Sequence, residues 1–342
     1  MPEPLLYLKA TAAAAIVSAT FVLAMAGVRR SAIATWLNST CVLAIGVGLA
    51  AGYSVLSLHL AWPPRNGLDR LLTIVVPLAL IIELISGVER VPRWVAWFLR
   101  ISLTATIPRI LLHGSVYLSR SDNDWTLWQA SLAMALCGAL LAGAWSLLSC
   151  LSERSPGVSI PLALCLSIQC AGLTVMLAGY IKGGAAAIPL AAALVATSIG
   201  AKLVSKRTSP QTNIGWPAIL GIGVVGLFGL LFIGRFFGRL STERAIVMLL
   251  APLLCWVTET SLLRDRKPWL VGSIRLVFVA IPLMMVLAVA KHDFDRDMGP
   301  LLGVVGVSNV SPALPLTGDI STKGIFRRDR QEDTQMIQTT SK

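Results

Sequence analysis

Charge is what this chain has least of. Only 13% of its 342 residues are Asp, Glu, Lys or Arg, where a soluble domain carries roughly a quarter. A solvated surface for a globular fold of this length cannot be built from so few charges. Histidine is scarcer still: His59, His113 and His292 are far apart and form no HExxH or comparable ligand cluster. No GxxxxGK[ST] and no GxSxG occurs, which removes the familiar ATPase and hydrolase signatures. The six cysteines, Cys41, Cys137, Cys150, Cys165, Cys170 and Cys255, include no CxxC pair and fall in or at the ends of apolar runs, as small packing residues do. Cys165 and Cys170, five apart, would point to different faces of one helix. From these absences we expect no metal, no cofactor and no enzymatic activity.

What the chain has instead is apolar length. Hydrophobic residues make up 55% of it and the mean hydropathy is +0.75, which places it among all-α polytopic integral membrane proteins. Its net charge of +12 comes from basic residues scattered in ones, twos and threes between apolar runs. Membrane-edge residues are distributed this way, so nucleic acid is excluded as a partner and the lipid bilayer, of a plasma or inner membrane, takes its place.

Runs long enough to cross about 30 Å of hydrocarbon number ten: 10–28, 33–61, 71–88, 94–118, 125–151, 157–181, 184–201, 214–234, 245–263 and 269–290. Short connectors such as PPRNGLDR, SRSDNDW and KRTSPQTN supply helix-ending residues, so successive helices are expected as antiparallel neighbours. The fourth and seventh spans are the weakest by composition. The fourth holds Arg100, Pro108, Arg109 and His113, and the seventh is rich in alanine. The first ends in AMAG, a form that signal peptidase cuts, but a polytopic chain commonly keeps such a helix as an anchor. Trp36, Trp62, Trp94, Trp125, Trp216 and Trp269 stand at span edges, where an amphipathic ring is most stable. Connectors on the two sides carry eleven and ten Lys or Arg, so charge does not decide orientation.

Sliding the sequence by 175 positions pairs Gly46 with Gly221, Gly48 with Gly223, Pro77 with Pro252, Trp94 with Trp269 and Arg100 with Arg275. One residue of slippage adds Arg70 with Arg244, Glu83 with Glu259, Pro92 with Pro268 and Pro108 with Pro282. This predicts a parallel internal repeat of four helices, 10–118 and 184–290, with 125–181 as a linking hairpin. Each copy places an acid near the end of one span and an arginine near the start of the next. At 1.5 Å per residue both lie roughly 7 to 9 Å deep, so equal depth permits Glu83 to pair with Arg100 and Glu259 with Arg275, with snorkelling to the nearby connector as the alternative. A lone intramembrane charge costs at least about 2.5 kcal/mol, which pairing reduces. These four are the candidate site residues, as ion pairs or as part of a solute path.

Other motifs carry little. LPLTG, residues 314–318, lacks the apolar span that a sorting signal needs after it. HDFDRDMG, residues 292–299, has Met298 and Val304 where a calcium loop needs Gly and Glu, and reads as a solvated helix exit. Asn38 in NST, at the start of a span, reads as a cap or buried amide. GIGVVGLFGLLFIG, from Gly221, reads as a close-packing helix face. The bundle is expected to occupy 1–291 and a polar, disordered tail 292–342. The function expected of such an architecture is transport or permeation of a small solute, with a non-transporting membrane scaffold or assembly subunit as the alternative.

Overall fold

The protein was examined as a computed structural model that describes residues 4–28, 33–58, 62–88, 90–114, 127–155, 157–208, 216–259 and 268–303. The described residues contain helices and turns but no strand. In order these are α1 (Pro4–Val28), α2 (Ile33–Val55), α3 (Gly67–Arg70), a π-helical turn (Leu71–Val75), α4 (Val76–Ser86), α5 (Arg93–Leu112), α6 (Leu127–Arg154) and α7 (Ser159–Leu177). They continue as α8 (Ile181–Ala185), α9 (Ala187–Thr208), α10 (Trp216–Phe236), α11 (Thr242–Leu250), a 3-10 segment (Ala251–Glu259) and α12 (Pro268–Gly303).

Among the described residues, eight helices are long and apolar enough to cross a membrane. The surface fits that solvent: Leu8, Ile16, Leu132, Leu136, Phe98, Ile281 and Met285 are exposed large hydrophobics, an outward apolar band that water would penalise and hydrocarbon does not. The chain is a multi-pass membrane protein.

Eight of the ten expected spans appear as such helices, and the two that do not are not where composition placed the doubt. The fourth and seventh spans meet the criterion as Arg93–Leu112 and Ile181–Lys206. The third and ninth do not, because both are interrupted. Residues 67–86 form one continuous helical run broken by the π-turn, whose widened bond runs from the Val76 N–H to the Leu71 carbonyl. Residues 242–259 form another, α-helical to Leu250 and 3-10 from Ala251. Proline supplies the cause in each. It lacks an N–H and its ring presses on the carbonyl four residues back, at Thr73 for Pro77 and at Met248 for Pro252.

The last helix also runs further than its apolar part and carries residues 292–303 to Gly303. The charges of HDFDRDMG therefore decorate a helix. The remainder of the expected tail, including LPLTG, lies outside the described residues.

α10 is the axis of the bundle. Apolar on every side, it is buried almost throughout from Trp216 to Gly234, as an all-round hydrophobic helix must be. It touches α2, α4, α5, α6, α7, α8, α9 and α11. Glycines let these neighbours in: Cβ atoms at Gly223, Gly226, Gly229 and Gly234 would meet Leu164, Leu190, Leu71 and Val175 at 2.3–2.6 Å. α1, α2 and α9 join through equally small residues, with Gly52 against Pro189 and Ala14 and the Ser18 hydroxyl donating to the Ala44 carbonyl at 3.1 Å. Small contacts of this kind replace the hydrophobic effect as the driving force inside lipid.

α5 and α6 meet differently. Pro108 leaves the Thr104 carbonyl without its helical donor, and Gly138 of α6 sits over that carbonyl, where a Cβ would be 3.1 Å from the oxygen.

Candidate functional site: two arginine-bearing hairpins

The first hairpin is formed by α4 and α5. Glu83 lies three residues before the end of α4 and is completely buried, and Arg100, two turns into α5, is 9% exposed. Their side chains meet fork to fork, with Arg100 Nε donating to Glu83 Oε1 at 2.9 Å and Nη2 donating to Oε2 at 2.8 Å. This is the strong bidentate geometry available to arginine. The guanidinium also lies 5.4 Å from the ring centre of Trp97 and 5.6 Å from that of Trp145, close enough for cation–π attraction. α10 makes room for the carboxylate, since a Cβ at Gly221 would stand 2.5 Å from Glu83 Oε1 and 2.7 Å from the Trp145 ring. At the hairpin bend, Gly87 does the same for Asn38 of α2, whose Nδ2 would be 2.1 Å from an added Cβ.

The second hairpin joins the 3-10 segment to α12. Arg275 is 4% exposed and donates to the Thr258 hydroxyl at 2.6 Å, to Ser159 Oγ at 3.1 Å, to Ser155 Oγ at 2.7 Å and to Glu259 Oε1 at 2.5 Å. Ser155 and Ser159 belong to the passage from α6 to α7. Glu259 is the less enclosed acid, with a quarter of its side chain exposed.

A second tie closes each hairpin at its other end. Arg70 donates to the backbone carbonyls of Leu111, at 3.5 Å, and His113, where α5 stops. Arg244 pairs with Asp293 on α12. Each hairpin is thus bound by arginine twice, once at the bend and once at the open end.

The structure brings all four candidate residues together in two pairs. It also adds groups that sequence reading passed over: the hydroxyls of Thr258, Ser155 and Ser159, the faces of Trp97 and Trp145, and the cradle at Gly221. The last had a signal, because a glycine at the mouth of the most apolar span needs a bulky or polar neighbour to justify it. The serines had none, since SERSPGVS looks like any connector. Ser86 Oγ, Trp145 Nε1 and Ser149 Oγ are buried without a hydrogen-bond partner among the described residues, which leaves the α4–α6 surroundings of the first pair with unspent polar capacity. Among the described residues no group of three or more His, Cys, Asp or Glu could hold a metal ion, and the six cysteines are unpaired.

No known protein family, curated protein or solved structure matches this chain.

Proposed function

We propose that this multi-pass protein moves a small solute across the bilayer, with the two interrupted helical runs as its working parts. One observation carries the reading. Pro77 and Pro252, 175 residues apart, each adjoin an irregular stretch, the π-turn that precedes Pro77 at 71–75 and the 3-10 segment that contains Pro252 at 251–259, and each run bears a glutamate held by an arginine of the next helix. Paired discontinuous helices in corresponding halves are where transporters place their binding sites, and π-turns recur at functional positions. On this reading ten runs cross the membrane, eight regular and two broken, and the halves are parallel copies.

The pairs supply a mechanism. Separating a buried pair leaves two uncompensated charges and costs about 3–5 kcal/mol. A solute that offers its own charged or hydrogen-bonding group to one partner lowers that cost, so it binds best to a separated state and shifts the population toward it. The specificity this implies is for a small polar or ionised solute.

The completeness of the pairing favours the second reading, a scaffold or assembly subunit. Glu83 is fully buried and Arg275 already has four acceptors, as static staples would. Purified protein in liposomes, mixed with iso-osmotic amino acids, sugars or carboxylates and followed by light scattering, separates the two. Swelling with one solute, abolished in a folded Glu83→Gln/Arg100→Met double variant, supports transport. Protein-free behaviour with every solute supports the scaffold.

A further inference from the structure

A lateral groove of about 940 Å³ opens between α1, α7, α9 and α12. It exists because α12 is tied to the bundle by side chains, at Arg275 and at Asp293, while its backbone makes few close approaches to other helices. The floor is small and apolar, with Ala15, Ala19, Ala192, Ala196 and Gly200 among its residues. Of its polar members, Thr11 spends its hydroxyl on the Tyr7 carbonyl at 2.8 Å, and Gln169 is the one side-chain amide in the lining.

Length and charge indicate what fits. The lining runs from Ala191 to Leu203 along α9 and from Thr11 to Leu23 along α1, about 18 Å at 1.5 Å per residue. That slightly exceeds the hydrocarbon half-thickness of about 15 Å. On α9 the lining positions Ile199 and Leu203 continue at helical spacing to Lys206, and both Lys206 and Lys202 are exposed. Lys206 is two residues from the end of the helix, at headgroup level, and Lys202 reaches that level by extending its stem. Arg275, at the same end of the groove, is already engaged by Glu259, Ser155 and Ser159, which leaves an anion at that mouth to the two lysines. An apolar slot with two ammonium groups at one mouth matches a molecule with a long hydrocarbon chain and a phosphate.

We propose that this groove binds an anionic glycerophospholipid, one acyl chain along α9 and the phosphate at Lys202 and Lys206. The site is independent of whether the chain transports a solute.

The test uses the full chain in vesicles of phosphatidylglycerol and phosphatidylcholine, with a diazirine on the acyl chain of one lipid at a time and labelled peptides mapped after illumination. Phosphatidylglycerol is expected to label the α7 and α9 lining at least threefold above Leu132 and Leu136, which face outward from α6. Ala196→Phe should remove that excess, and Lys202→Ala/Lys206→Ala should lower it at least threefold while phosphatidylcholine labelling stays unchanged. Should Ala196→Phe not yield folded protein, Leu203→Trp, at an exposed position, blocks the same slot. Uniform labelling of all outward faces, equal labelling by the two lipids, or a chain-to-chain cross-link through Ala196→Cys would overturn the proposal, the last by making a second copy the occupant.

Discussion

Gly221 lies directly beneath the carboxylate of Glu83, with so little clearance that a single added carbon would stand 2.5 Å from Oε1. The axis helix and the first hairpin are therefore mutually dependent: α10 can be smooth at that position only because Glu83 fills it, and Glu83 is held there by its two hydrogen bonds from Arg100.

Gly221→Ala is accordingly expected to destabilise the protein by about 1–3 kcal/mol, the usual range for overpacking. Gly143→Ala on α6, where an added Cβ has nothing within 4 Å, should be neutral or slightly stabilising. Thermal melting of both variants in detergent checks the contrast, and equal melting temperatures would refute the close contact.

Neutralising one member of the first pair should be worse than neutralising both. Glu83→Gln or Arg100→Met leaves a buried charge alone at a cost of about 3–5 kcal/mol, whereas the double variant carries no charge and should recover most of the loss. Yield of monodisperse protein is the readout. Single variants as stable as the parent would mean that the charges reach water independently.

The second pair should tolerate more. Arg275 keeps three hydroxyl acceptors when Glu259 is replaced, and Glu259 itself is partly exposed, so Glu259→Gln should cost less than Glu83→Gln. Ser155→Ala and Ser159→Ala should each cost about 1 kcal/mol, the net value of one hydrogen bond. A larger loss for Glu259→Gln than for Glu83→Gln would reverse this ranking.

These contrasts also show what the sequence could and could not reveal. The membrane class and most helix limits follow from apolar length alone, because hydrocarbon thickness is a fixed ruler. The meeting of Glu83 with Arg100 was legible because depth along two antiparallel helices can be counted from their shared bend. The interruptions of the third and ninth runs were not. Apolar length says nothing about which turn a proline will distort, and Pro77 and Pro252 yield a wide turn in one run and a tight one in the other. Pro108, by contrast, sits inside an unbroken α5. The serines around Arg275 were equally hidden, since a hydroxyl becomes a ligand only when a distant helix delivers the guanidinium to it.

Removing either proline tests the working-parts idea. Pro77→Ala and Pro252→Ala restore a missing backbone N–H and should raise melting temperature while lowering solute-dependent swelling in liposomes. Unchanged swelling in both variants would show that the interruptions are packing features only.

Finally, the meeting of Thr104, Pro108 and Gly138 couples two positions thirty apart in the chain. A side chain can replace Gly138 without crowding the Thr104 oxygen only if α5 shifts away, and residue 108 decides how far that oxygen tilts out of its helix. In related chains, as they are found, a proline at 108 and a glycine at 138 should appear together or be lost together, and a mismatch should mark a lineage in which α5 and α6 have moved apart.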